Sequence, residues 1–456
     1  MISRKFYVSF LFSIILVFFT FGCNFFYNTH LSKTNMVDLA NKKSMWTFVI
    51  YMAADNELEN AAIADINELE AACAISENLQ ILVLLDKKGD GDLDEKSGAA
   101  LYQIENDEKD SLEIISKKLQ CASLGLYEKD NSTELNMASP ETLSNFLDFV
   151  YENYPSEEYG LIMWGHGTGY RNGTLNFEEK SVSVFENFKG LAVDDTSSDF
   201  MSTVDFGKAL ENHYFSVIGF DTCFGMLLET AYEIKDCGKI FIGSSGLVPA
   251  KGWNYYSLFR NFSNKEKEFL AQNQDLAENL TGELFSKLAE NQFKEEYYPS
   301  EEFVISSVDL AKVKEIATVF DNFSIALANY IKNEQTQQEV LNLLLNCVKN
   351  YKSNTFPSDL FLDLADLGKI FSSIVPKEAE DLTNFLKNGE EQINLGIYFV
   401  TKLSETTNKE QHDNSYQKST KEEDFTKLKF LQDNKGWVPN KMLRNSLLDK
   451  LFYTNF

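Results

Sequence analysis

The chain has 456 residues, enough for roughly two to three packed units of about 150 residues each, and 44% hydrophobic residues with only 7 prolines exclude a disordered chain. Asp and Glu outnumber Lys and Arg by 69 to 42, a net charge of −27, so a phosphate backbone is repelled and no nucleic acid is expected as a partner. The 6 cysteines (Cys23, Cys73, Cys121, Cys223, Cys237 and Cys347) are scattered without a Cys-x-x-Cys pair, and no cysteine or histidine shows zinc-ligand spacing, which argues against a disulfide scaffold and a zinc hydrolase.

Arg4 and Lys5 precede a mainly apolar stretch from Phe6 to Phe21, followed by Gly22-Cys23. The stretch is short for a bilayer-spanning helix, and a small residue directly before cysteine resembles the cleavage site of bacterial lipoproteins. Residues 1–23 are therefore expected to be an export signal, with Cys23 lipidated. Residues 24–44, polar and carrying His30, read as a linker between membrane and folded body. The body is expected in the bacterial cell envelope, lipid-anchored or secreted.

Trp46 to Met52 is an apolar, β-branched run of strand length, and Asn56 to Cys73 has helical spacing. Leu79 to Leu85 is a second buried strand. It ends in Asp86-Lys87-Lys88-Gly89-Asp90-Gly91-Asp92, an acidic turn without the terminal glutamate of an EF-hand. Leu101 to Ile104 is a short strand. Ser139-Pro140 starts a helix, with serine as its cap and proline in its first turn, running to about Tyr154. Tyr159 to Trp164 is a strand that stops at Gly165-His166-Gly167-Thr168-Gly169, and a polar insertion continues to about Lys189.

A helix from about Ser202 to His213 leads into the strand Phe215 to Phe220, which ends at Asp221-Thr222-Cys223. A helix is expected from about Gly225 to Ile234, then a strand from Lys239 to Ile242 before Gly243-Ser244-Ser245-Gly246. Strands alternating with helices imply crossover units, a mostly parallel sheet with helices on both faces, and a ligand site outside the carboxyl ends of the strands. The long apolar faces in 265–291 and 310–332 mark packing helices.

His166 and Cys223 each lie just past the carboxyl end of an apolar strand, so one rim of a parallel sheet can bring them together. Of the 4 histidines, His30 is in the linker, His412 in a polar stretch and His213 at a helix end; only His166 is framed by glycines after a buried strand. A helix following Cys223 and a nearby imidazolium would favour its thiolate. Ser244 and Ser245 lack the Gly-x-Ser-x-Gly elbow of a serine nucleophile.

The blocks Trp46 to Asp55, Leu161-Ile162-Met163-Trp164-Gly165-His166-Gly167, Leu191 to Asp195, Ile218 to Glu229 with Asp221-Thr222-Cys223, and Gly252-Trp253-Asn254-Tyr255 resemble the clostripain family of cysteine peptidases. Weaker echoes at Phe361 to Leu364 and Gly396 to Phe399 extend the resemblance over roughly 46–400. It implies an α/β, caspase-like fold: a mostly parallel sheet flanked by helices in a catalytic domain at 45–260, then a helix-rich C-terminal region at 261–456. It also implies an endopeptidase acting on polypeptides through a His166/Cys223 dyad and an acyl-enzyme, with an oxyanion hole from the backbone of Gly167 and Cys223.

By the same resemblance, Asp221 suits Arg or Lys before the scissile bond, and Ser245 and Trp253 help to bind substrate. Lys251 departs from the family's pattern and would repel such a basic side chain. Self-cleavage in the insertion is implied, Lys180 being the first choice. No cofactor is required, while calcium is possible at Asp194 and Asp195. Two other classes fit the same residues: an inactive binding or adhesion lipoprotein, and a transpeptidase using the same dyad.

Overall fold

The strand β1 (Ser44–Ala54) is buried along all its residues, which a continuous apolar run satisfies only at the centre of a sheet covered on both faces. It runs parallel to β2 (Leu79–Lys87) with Trp46 opposite Leu79 and Ala53 opposite Asp86. The chain between them forms the helix α1 (Glu59–Ala71), so the first crossover unit is β1-α1-β2. The computed structural model describes residues 43–88, 98–109, 113–127, 133–167, 190–298, 304–347, 359–389, 391–400, 428–437 and 447–452. The signal segment with Cys23, the linker up to residue 42, and Lys180 with its insertion lie outside the described residues.

From β2 the chain turns back through β3 (Ala100–Gln103) and β4 (Lys117–Leu119), both antiparallel additions to the edge. The helix α2 (Pro140–Asn153) then crosses to the other side of β1 and delivers β5 (Ser156–Gly165). Proline opens α2 as expected, but Ser139 makes no side-chain cap; its hydroxyl donates to Glu141 at 2.7 Å instead. A Cβ on Gly160 would meet the Phe48 ring and one on Gly165 would meet Ala53 O. That constant offset is the register of a parallel pair.

A small antiparallel pair, β6 (Leu191–Asp194) and β7 (Asp199–Met201), follows. The helix α3 (Thr203–Leu210), capped by Ser202 Oγ accepting from Asp205 N at 3.1 Å, leads to β8 (Phe215–Asp221). The helix α4 (Leu228–Glu233) leads to β9 (Gly238–Ser244). β8 is parallel to both β5 and β9, and β10 (Ile305–Asp309) closes that edge antiparallel to β9. The order is β10-β9-β8-β5-β1-β2-β3-β4, a parallel centre with antiparallel margins.

Residues before and after 260 share this sheet, and Met45–Phe456 forms one compact unit. On one face, α5 (Tyr255–Ala271) and α6 (Gly282–Glu296) pack Phe259, Phe262 and Phe285 onto Trp46 and Phe48, with ring centroids 4.6–5.7 Å apart. The Trp46 indole N–H donates to Leu280 O at 2.7 Å, so this large side chain is buried without a polar loss. Tyr51, of opposite parity along β1, faces Phe146 of α2.

This order contains a switch point. β1 sends its chain one way, toward β2, and its neighbour β5 sends its chain the other way, toward β8. The diverging loops leave a crevice at the carboxyl ends, where open α/β sheets bind ligands.

Candidate active site

A cavity of ≈ 540 Å³ occupies that crevice. Glu57 and Leu58 reach it from the exit of β1, Trp164 and His166 from β5, Asp221 and Cys223 from β8, and Val248 and Pro249 from the loop after β9. Two segments 57 positions apart thus supply an imidazole and a thiol to one wall, and the reason is local. Gly167 lies so close over the β8 exit that a Cβ there would sit 2.4 Å from Cys223 O and 2.8 Å from the Thr222 side chain. Only glycine permits that approach.

Cys223 is 7% exposed. Its Sγ accepts from Val248 N at 3.3 Å, and the S–H donates to Val248 O at 3.6 Å. Burial pushes the thiol up to about 11; the Val248 N–H opposes this, and the negative charge of Asp221 adds to it. The helix expected directly after Cys223 starts later, at Leu228. Phe224 N and Met226 N bond across to Gly246 O and Ser244 O at the exit of β9, at 2.7 and 2.9 Å. Those bonds hold 224–226 against the neighbouring strand, with Phe224 at φ 54°, so no helix dipole addresses the sulfur. Burial there favours the neutral thiol over the thiolate.

His166 is 6% exposed and its Nε2 lies 3.0 Å from Glu57 Oε1. Burial favours the neutral acid at Glu57, yet its hydrogen bond to His166 and the attraction between the two hold it below the usual glutamate range. Sequence reasoning missed Glu57. Its signal was position, three residues past the last residue of β1 on the rim that carries His166.

Asp221 closes β8 and is buried. Its Oδ2 accepts from Trp253 N and from the Tyr255 hydroxyl, each at 3.1 Å, while Oδ1 is buried with no hydrogen-bond partner. Burial raises it to about 7 against the pull of those two donors. Behind the cavity wall, Asp65 accepts from the Trp164 indole N–H at 2.7 Å. Burial, and then the charge of Asp221, raises Asp65 to about 9. Asp65 was also missed, although an aspartate on the apolar stripe Ala62-Ile66-Leu69 of α1 is a sequence signal.

Trp253 is buried and acts through its backbone; its ring packs beneath β8, where a Cβ on Gly219 would lie 3.0 Å from it. Ser245 is buried beside Gly396; neither residue lines the cavity. The Lys251 ammonium pairs with Glu296. Asp194 and Asp195 diverge: Asp194 lies within 4.8 Å of Asp55 and Glu134 through their carboxylate oxygens, and Asp195 pairs with Lys88 at 2.6 Å. Among the described residues, no helix is long and apolar enough to cross a membrane.

The clostripain family's sequence model matches residues 50–435. Clostripain of Hathewaya histolytica is 26% identical over 327 residues, covering 65% of this chain and 59% of that protein, so the chain matches less than two thirds of that relative's length. The fold is similar to that of an inactive zymogen C11 protease from Parabacteroides distasonis, with a TM-score of 0.56, 18% identity, and coverage of 86% of this chain and 99% of that one. A secreted C11 cysteine protease from Bacteroides thetaiotaomicron gives a TM-score of 0.54 at 15% identity, covering 86% and 99%.

Proposed function

The chain belongs to the clostripain family, and on that footing we propose that it is a cysteine endopeptidase in which Cys223 is the nucleophile and His166 moves the proton. The observation that carries this reading is the contact of Gly167 with Thr222 and Cys223, which joins the imidazole loop to the thiol loop beside a substrate-sized cavity.

In the proposed cycle, His166 accepts the Cys223 proton and the sulfur bonds to the scissile carbonyl carbon. The carbonyl oxygen becomes an oxyanion facing the backbone N–H groups of Gly167 and Cys223; one such donor is worth about 10²–10³ in rate. The imidazolium gives its proton to the departing amine as the C–N bond breaks. Water, deprotonated by His166, then releases the acyl group and restores the thiol. Glu57 stabilises the imidazolium that forms in both halves.

The buried Asp221, which lines the cavity, supports a preference for Arg or Lys before the cut bond, because a cation seated there would pair with its Oδ1, which has no hydrogen-bond partner. Self-cleavage at Lys180 and acylation at Cys23 belong to the same proposal; the zymogen state of one structural relative favours the first.

The test is to incubate the full chain and its Cys223→Ala variant under reducing conditions with peptides that differ only in the residue before the cut. Cleavage after Arg and Lys by the parent alone supports the reading. Equal digestion by both chains removes Cys223 from the mechanism. Capture of the acyl group by an added amine in preference to water would make the enzyme a transpeptidase.

A further inference from the structure

Two short blocks far along the chain, Phe361 to Leu364 and Gly396 to Phe399, take no part in the cycle above. They belong to a pair of antiparallel strands, β11 (Asp359–Asp363) and β12 (Gly396–Val400), with Phe361 opposite Tyr398 and Asp363 opposite Gly396. The pair meets the loop that follows Cys223. Gly396 N donates to Met226 O at 3.0 Å, and Gly396 forms a parallel bridge with Leu227. Residues 224–227 are thus bonded on two sides, to the exit of β9 through Phe224 N and Met226 N and to β12 through Met226 O. The start of β12 is in turn tied to β10, because Asn394 N and the Asn394 amide both donate to Ser306 Oγ at 3.1 Å.

Phe224 is the strained residue of that loop. Its φ of 54° lies in the left-handed region, which a bulky side chain adopts only where its surroundings over-determine it. Two contacts do so. Its N–H is held by Gly246 O at 2.7 Å, and its buried ring stacks on Phe361, with centroids 4.4 Å apart and planes at 21°. With the N–H and the ring both fixed, the torsion between them cannot relax.

That torsion matters because the peptide plane carrying Phe224 N also carries Cys223 O. Cys223 O is the atom that a Cβ on Gly167 would approach to 2.4 Å. A chain of contacts therefore runs from Phe361 to Phe224, from Phe224 to the peptide after the nucleophile, and from that peptide to the loop of His166. The helix after the loop, α4, is held from the same direction: Lys429 N donates to Glu233 Oε2 at 3.0 Å and the Tyr232 hydroxyl to Asp433 Oδ2 at 2.8 Å.

We propose that Phe361 is a positioning residue for Cys223, acting through Phe224, and that the β11–β12 pair completes the active site from the C-terminal region. The inference rests on Cys223 being the nucleophile. Were Phe224 free to return to negative φ, the peptide after Cys223 would turn and the sulfur would lose its placement against His166. Asp221 and Trp164 lie within β8 and β5, outside the clamp, so substrate binding should survive its loss.

The test is steady-state hydrolysis of a peptide with Arg before the cut bond by the full chain under reducing conditions, below the Tm of every variant. Phe361→Ala should lower kcat by about 10–100-fold with KM little changed. Phe361→Leu, which keeps volume without a ring face, should recover part of that loss. Phe224→Ala should lower kcat as well, and the double variant should be no slower than the slower single one, because both act on one contact. If Phe361→Ala does not fold, Phe361→Leu takes its place in the cycle and must still lower kcat. A parental kcat with only a lower Tm, or losses that multiply in the double variant, overturns the proposal. Cys223→Ala run alongside separates the two readings. If it digests as the parent does, the nucleophile assignment fails and the clamp with it; if it is inert while Phe361→Ala keeps the parental kcat, the clamp alone fails.

Discussion

Replacing Glu57 by glutamine isolates the charge that faces His166 while keeping the side chain's size. Two unit charges about 4 Å apart attract by about 1 kcal/mol in water and about 4 kcal/mol near a protein surface. Here the atoms are 3.0 Å apart and the Glu57 side chain is 52% exposed, so solvent screening places the net effect near the low end, about 1–2 kcal/mol. The imidazolium forms only as the thiol proton is transferred, so the loss falls on kcat, about 5–30-fold, with KM nearly constant. The assay is steady-state hydrolysis of a peptide with Arg before the cut bond, at two ionic strengths. Added salt should narrow the gap between parent and variant, Glu57→Asp should recover part of the rate, and Tm should move little because an exposed pair contributes little stability. An unchanged kcat, or a loss confined to KM, would refute the assignment of Glu57 as the residue that positions and stabilises His166.

Gly167→Ala puts a methyl group 2.4 Å from Cys223 O, so the two loops must part; kcat/KM should fall at least about 100-fold, since displacement of reacting groups by about 1 Å costs that much. Circular dichroism should remain native; retained activity would mean that the loops need not touch. Asp221, raised to about 7 by burial, is protonated below that pH and charged above it. KM for Arg and Lys peptides should therefore fall as pH rises through about 7, while Asp221→Asn should show a flat, higher KM and no preference between Arg and norleucine. An unchanged preference in that variant would move the specificity to other residues.

The parallel centre of the sheet was legible because β1, β2, β5, β8 and β9 contain apolar runs of strand length, and the loops that line the cavity follow β1, β5, β8 and β9. The antiparallel margins were less so. β4 is a three-residue strand, Lys-Lys-Leu, and β10 carries two serines, so neither announces itself by pattern. At the candidate site, glycines around one histidine and a thiol past a strand singled out His166 and Cys223. Val248, whose backbone holds the sulfur, contributes only peptide groups, which every residue carries, and so leaves no sequence signal. Only folding shows that Asp194 meets Asp55 and Glu134 while its neighbour Asp195 turns to Lys88.

The electrostatics of the cleft oppose a preformed thiolate. Burial is the largest cause of the raised Cys223 thiol, the Val248 N–H counters it, and the charge of Asp221 adds to it. Asp65 behind Trp164, raised to about 9 by burial and then by the charge of Asp221, stays a neutral acid near pH 7 and leaves Asp221 as the charge that acts on the sulfur. A substrate whose first side chain is cationic changes two of these terms at once. It satisfies the unpartnered oxygen of Asp221 and cancels the repulsion that this carboxylate exerts on the sulfur, while the rest of the peptide displaces water from the cavity. On the proposed function, recognition and thiol activation are then one event, since the group that selects the substrate also restrains the nucleophile until the substrate is seated. A preference built this way appears in kcat as well as in KM, because part of the binding energy is spent on ionising Cys223 and not on holding the ground state.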